Sequence, residues 1–197
     1  MRLCFYLWGM PEDWIYVERF FQPAESLLFF NALKQELNWK QESITLFGKT
    51  YPEPRLTAWY ALNGEGYSYS NKMNIPDSFT PVLKELLHAV SEFTGDSFNS
   101  VLANCYRNGN DRMGWHSDNE PELGINPSIV SLSFGAGRDF LFRPLHGGET
   151  QSVLLASGSL FWMKNQFQSR YKHALPARKR IREERINLTF RKILPLR

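Results

Sequence analysis

Residues 185–191 read R-I-N-L-T-F-R. Polar and apolar side chains alternate without a break, the period-two pattern of a β-strand with two unlike faces. Arg185, Asn187, Thr189 and Arg191 share one face; Ile186, Leu188 and Phe190 share the other. Five β-rich runs precede it: S-V-L-A-N-C-Y-R (100–107), S-I-V-S-L-S-F (128–134), D-F-L-F-R (139–143), S-V-L-L-A (152–156) and G-S-L-F-W-M-K (158–164). Gly, Pro and Asn clusters separate them. Six short strands in about 100 residues suit a sandwich or jelly roll, not alternating strands and helices.

Two helices lie upstream. Pro23 to Leu37 reads as amphipathic, with Leu27, Phe30, Leu33 and Leu37 at helical spacing. The second is better marked: Thr80 suits the N-cap, Pro81 the first turn and Gly95 the stop, around a stripe that includes Val82, Leu83, Leu86 and Val90. Between them, residues 40–75 hold glycines and prolines among many aromatics, which predicts hairpins and loops.

The chain has 197 residues, 43% apolar and 15% aromatic, enough for one domain with a sizeable core. A net charge of +3 permits an anionic partner without requiring one. Arg178, Lys179, Arg180, Arg182, Arg185, Arg191 and Lys192 concentrate it near the C-terminus. Cys4 and Cys105 stand far apart and form no metal-binding spacing, as expected of reduced thiols. The apolar run at the start is too short for a signal peptide, and no stretch reaches the roughly 20 apolar residues of a membrane span. The expectation is a soluble intracellular protein, cytoplasmic, or nuclear in a eukaryote, acting as a monomer away from membranes.

Of the four histidines, His88 sits in the second helix and His146 in the turn P-L-H-G-G. His116 belongs to G-W-H-S-D-N-E, with Asp118 two residues on, and a His-x-Asp pair can grip one ion from one side of an extended backbone. His173, in R-Y-K-H-A-L-P, would complete a set of two imidazoles and one carboxylate. That is the facial triad of non-haem Fe(II) oxygenases, which leaves three coordination positions open; catalytic zinc uses the same ligand types. Arg185 and Arg191 stand six residues apart on one strand face, roughly 20 Å between Cα atoms, which leaves room between their inclined side chains for a small dicarboxylic acid. Asn104 and Tyr106 share a face of another strand and could bond the same acid. The plainer readings are a solvated strand face for the arginines and core hydrogen bonding for Asn104 and Tyr106.

N-C-Y-R-N-G-N-D-R-M-G-W-H-S-D-N-E, S-L-S-F-G-A-G-R-D-F, K-H-A-L-P and R-I-N-L-T-F-R, in that order, resemble the AlkB family of Fe(II)- and 2-oxoglutarate-dependent dioxygenases. P-R-L-T-A-W-Y and Y-S-Y-S upstream resemble the family's nucleotide-recognition region, so the likeness spans residues 45–192. It implies a mainly β protein with flanking helices (α+β), built on a double-stranded β-helix, or jelly roll. The single domain would cover 1–197, with about 1–75 forming the N-terminal helix and nucleotide-recognition lid and about 76–197 a helix plus the catalytic core.

Carried over by position, His116, Asp118 and His173 match the catalytic iron ligands. Arg185 matches the contact to the distal carboxylate of 2-oxoglutarate, and Arg191 the contact near its keto-acid end. Asn104, Tyr106 and Asn187 accompany them. The implied reaction consumes O2 and 2-oxoglutarate, yields succinate and carbon dioxide, and hydroxylates an N-methyl group that leaves as formaldehyde.

The implied partner is alkylated nucleic acid, DNA first, with bases of the 1-methyladenine and 3-methylcytosine type. A base inside a duplex must be flipped out to reach the iron. Phe47 before Gly48 resembles a residue that wedges the base stack, though it would serve equally as an ordinary hairpin aromatic. Trp59, Tyr60, Tyr67 and Tyr69 offer stacking faces, and Arg55 a phosphate contact. Directly after the aspartate ligand, where the family carries an acid facing the damaged base, stands Asn119, with Glu120 next. Asparagine brings no charge to a cationic base. Two other functions compete: an Fe(II)/2-oxoglutarate dioxygenase acting on RNA, protein or a small molecule, and a reader of alkylated nucleic acid without turnover. Intact ligands and both arginines speak against the reader.

Overall fold

The computed structural model describes residues 12–46, 48–62, 67–69, 72–74 and 76–194. Strand β1 (Trp14–Val17) leads to helix α1 (Pro23–Glu36). The hairpin β2 (Ser43–Leu46) and β3 (Lys49–Pro52), strand β4 (Leu56–Ala61), the hairpin β5 (Tyr67–Tyr69) and β6 (Lys72–Asn74), and β7 (Asp77–Ser78) follow. After helix α2 (Pro81–Thr94) come β8 (Ser100–Tyr106), β9 (Met113–His116), β10 (Ile129–Gly135), β11 (Arg138–Pro144), β12 (Gln151–Leu155) and β13 (Ser159–Met163). The helical turn α3 (Phe167–Arg170), β14 (Tyr171–Leu175) and β15 (Arg185–Arg191) complete the chain.

The strands form a seven-stranded sheet in the order β1-β13-β10-β15-β8-β4-β7 and a four-stranded sheet in the order β12-β11-β14-β9. Every pairing within the two is antiparallel except β4 with β7. This is the expected mainly β architecture, with helices on one side.

The alternation of residues 185–191 decides how the layers stack. Ile186, Leu188 and Phe190 are fully buried beneath the helices, in a core shared with Leu33, Leu83 and Val90. Arg185, Asn187 and Thr189 point the other way, between the sheets, and are buried as well at 1%, 9% and 7% exposure. The face is therefore not a solvated one. A second core closes the sandwich with Phe140 and Phe142 of β11 against Phe161 and Met163 of β13.

Helix α2 is capped as its sequence predicts. Thr80 Oγ1 accepts the Leu83 N–H at 3.4 Å, and Gly95 ends the helix in the left-handed region at φ +76°, where glycine carries no Cβ penalty. In α1 the expected stripe is only partly right. Leu33 and Leu37 are buried, but Leu27 is 61% exposed. Ser26 takes the inward position instead, its hydroxyl donating to the Gln22 carbonyl at 2.9 Å, and this rotates Leu27 outward.

Within residues 40–75 the described part does form hairpins, but Leu56–Ala61 is a full strand of the major sheet. Strands β1 and β4 from the N-terminal part thus belong to the core sheet, and α1 packs on it. Among the described residues no helix is long and apolar enough to cross a membrane.

Candidate active site

Strand β9 (Met113–His116) is not among the β-rich runs that the sequence marks. It pairs with β14 at the edge of the smaller sheet, and the register sets His116 opposite His173. Asp118 follows just past the strand end. Its N–H donates to Gln168 Oε1 at 2.9 Å, so the buried side chain of α3 fixes the turn. Three side chains from two segments 55 residues apart are thereby brought together: one ligand atom from each of His116, Asp118 and His173 lies within 4.8 Å of the others.

The details suit a metal. His116 Nε2 and His173 Nε2 stand 3.9 and 3.8 Å from the Asp118 oxygens, too long for hydrogen bonds and spaced as ligands around an ion. His116 Nδ1 lies 2.8 Å from the Gly114 carbonyl, which can only accept; Nδ1 therefore donates there, which leaves Nε2 as the ring atom facing Asp118 and His173. Burial drives the His173 pKa down to about 3 against the pull of Asp118, so this imidazole is neutral, as a ligand must be. Burial alone would raise the Asp118 pKa, but Arg191, His173 and His116 outweigh it and hold the carboxyl ionised below its ordinary value. Two imidazoles and a carboxylate fit Fe(II).

The floor beside the triad is polar. Across β15, Arg185 pairs with Tyr106, Asn187 with Asn104 and with Ser133, and Thr189 with Ser131, so these side chains share the inner face. Arg185 Nη2 donates to Ser133 Oγ at 2.9 Å and Asn187 Oδ1 at 2.6 Å, while its buried Nε has no partner among the described residues. No carboxylate pairs with it among the described residues. Burial, helped by Arg138 and opposed by Tyr106, brings its pKa down to about 10, so it stays charged at neutral pH. A buried guanidinium without a carboxylate is costly unless a ligand supplies one, and this orphaned donor fits a dicarboxylate co-substrate. Arg191 donates to Asp118 Oδ1 at 2.8 Å, at the metal end of the same floor.

The remaining expected site residues divide. Arg55 is not free for phosphate: Nε donates to Asn104 Oδ1 at 2.9 Å and Nη2 pairs with Glu53 at 2.8 Å, because β4 lies directly beside β8. Tyr60 is a correction. It is 2% exposed, packs under the helices and accepts the Asn38 N–H at 2.8 Å; neighbours in a strand face opposite ways, so only Trp59 points to the other side. Trp59 is half-buried and donates to Ser100 Oγ at 2.8 Å. Tyr67 and Tyr69 lie on β5, paired with β6, and Phe47 lies outside the described residues.

Asn119, taken as the residue facing the base, is exposed, and Glu120 is the half-buried one. Glu120 Oε2 is buried without a partner among the described residues, and burial raises its pKa, with Arg191, Asp118 and His116 close enough to act on it. The exposed His88 and His146 take no part. Ser131, Ser133, Arg138 and Gln168 escaped the sequence reading; the alternation in S-L-S-F could have disclosed the two serines, but nothing in sequence marks Gln168.

A jelly roll with a His-x-Asp and distant His triad beside a buried, unpaired arginine defines a 2-oxoglutarate- and Fe(II)-dependent dioxygenase. The family model described as the 2OG-Fe(II) oxygenase superfamily matches residues 13–191, and the chain belongs to that family. It is 40% identical over 186 residues to the DNA oxidative demethylase ALKBH2 of Mus musculus, covering 89% of this chain and 78% of that one. It is 41% identical over 187 residues to the alpha-ketoglutarate-dependent dioxygenase alkB homolog 3 of Homo sapiens, covering 89% of this chain and 64% of the relative. The solved structure of OsALKBH1 superimposes with a TM-score of 0.63 over 93% of this chain and 99% of that one, at 18% identity, a likeness of fold.

Proposed function

We propose that the protein is an oxidative demethylase of alkylated DNA, acting on bases of the 1-methyladenine and 3-methylcytosine type. The observation that carries this reading is the meeting of His116, Asp118 and His173 beside the unpaired Arg185, in a chain 40% identical to a DNA oxidative demethylase. In the net reaction one N-methyl group, one 2-oxoglutarate and one O2 give the demethylated base, formaldehyde, succinate and carbon dioxide. Iron, when bound by the triad, supplies the oxidising chemistry.

The chain's own residues position the reactants. Arg185 holds the distal carboxylate of 2-oxoglutarate, with Tyr106, Asn104 and Asn187 around it, and Arg191 serves the end near Asp118. Glu120, rather than Asn119, meets the flipped base and supplies the acid. Its buried, unpartnered oxygen can accept a bond from an exocyclic amine, and a cationic base repays the cost of charging it in a half-buried place. Trp59, and Tyr67 and Tyr69 of the β5–β6 hairpin, are assigned to contact with the nucleic acid.

The test incubates protein with iron, ascorbate and 2-oxoglutarate and compares methylated single- and double-stranded DNA and RNA. Formaldehyde and succinate in equal amounts are expected with methylated DNA. Turnover with RNA alone, or with no polymer, would refute the substrate assignment.

A further inference from the structure

Arg138 opens β11 and is 1% exposed, one of the largest fully buried side chains. It pairs with no carboxylate among the described residues. Nη2 donates to the carbonyls of Asp111 at 2.8 Å and Pro176 at 2.7 Å, Nη1 to the carbonyl of Asn108 at 3.3 Å, and the buried Nε has no partner among the described residues. Its guanidinium carbon lies 5.8 Å from the centre of the Tyr106 ring, and that of Arg185 lies 5.3 Å from the same centre. One aromatic ring is therefore held against two buried cations.

The three carbonyls come from two loops. Asn108 and Asp111 follow β8, which carries Asn104 and Tyr106; Pro176 follows β14, which carries His173. Backbone bonds already join these loops, with Gly109 N–H donating to Ile181 O at 2.9 Å and Arg178 N–H to Gly109 O at 2.6 Å. A Cβ at residue 109 would collide with the Arg178 carbonyl, so the approach requires glycine. A tie between loops needs donors but not a charge. Placing a second desolvated cation beside Arg185 adds repulsion, while the Asp111 and Asp139 carboxylates attract Arg138 without bonding to it among the described residues. Both the charge and the placement make sense if an anion enters between them.

We propose that Arg138 is a positioning residue for the co-substrate: it fixes Tyr106 at the dicarboxylate pocket and adds a second positive charge that selects for the distal carboxylate. This rests on the reading of Arg185 as the carboxylate contact, and not on the nucleic-acid substrate.

Calorimetry on Mn(II)-loaded protein, without oxygen or nucleic acid, measures binding of 2-oxoglutarate and of 2-oxovalerate, which lacks the distal carboxylate. Arg138→Met should weaken 2-oxoglutarate tenfold or more and leave 2-oxovalerate within threefold. Unchanged 2-oxoglutarate binding, or equal weakening of both acids, would overturn the proposal. Arg138→Lys keeps the charge but cannot reach three carbonyls. It should melt lower yet keep discrimination within threefold of wild type, and loss of discrimination there would overturn the proposal even if Arg138→Met does not fold. Arg185→Met measured in parallel separates the two readings: if it too binds normally, the pocket assignment fails, whereas a failure confined to Arg138 leaves that assignment standing.

Discussion

Replacing Arg185 by Met removes the buried guanidinium while keeping a side chain of similar length. Truncating one partner of a buried, hydrogen-bonded charge pair costs about 2–5 kcal/mol of binding, and each 1.4 kcal/mol is tenfold, so the span is roughly 30- to 4000-fold. Arg138 would still lend the pocket a positive charge, which places the loss on the order of 100-fold. The folded state should lose little. Burial already works against the charge of Arg185, Asn187 Oδ1 still accepts from Ser131 Oγ at 2.9 Å, and the Ser133 hydroxyl can turn. A net change of about 1 kcal/mol corresponds to about 2–4 °C in a chain of this size. The assay follows succinate production against 2-oxoglutarate concentration, with melting temperature as the control. A Michaelis constant for 2-oxoglutarate within threefold of wild type, in a variant that melts normally, would refute the argument.

Other residues give shorter tests. His173→Ala should abolish turnover and bound iron together, and iron retained at wild-type stoichiometry would remove it from the ligand set. Glu120→Gln should lower kcat/KM on 1-methyladenine by roughly 10- to 100-fold, since hydrogen bonds to charged groups contribute about 1.5–3 kcal/mol, with 2-oxoglutarate binding unchanged; normal repair would return the role to Asn119. Metal-free protein should be acid-sensitive. His173 has a folded pKa of about 3 against an ordinary 6.5, so its contribution is complete above pH 6.5 and is lost as pH falls towards 3. Between pH 7 and 5 that amounts to about 2 kcal/mol, and denaturant midpoints should fall more steeply with acid in wild type than in His173→Asn. Thr80→Ala removes the cap of α2 and should cost about 1 kcal/mol without touching co-substrate affinity.

Much of this molecule was legible in its residue order. Period-two alternation marked β15, β-rich runs between Gly, Pro and Asn clusters marked β8 and β10 to β13, and the Thr-Pro start and Gly stop marked α2, because these signals are local and the backbone obeys them wherever the segment lies. The same alternation told which three residues of β15 share a face with Arg185, and the triad could be named from residue types. Pairing was not legible. Whether the arginine face meets water or a second sheet depends on what packs above it, and only the separate sheet β12-β11-β14-β9, built from other parts of the chain, closes that space. Likewise Trp59 and Tyr60 differ by one step along β4, and the choice of which is buried was made by the helices lying on one side. Glu120 and Asn119 part for a similar reason: the turn after Asp118 is fixed by Gln168, 50 residues away. Local pattern sets which residues go together on a surface; only long-range packing sets what that surface faces, and burial, charge and chemistry follow from the latter.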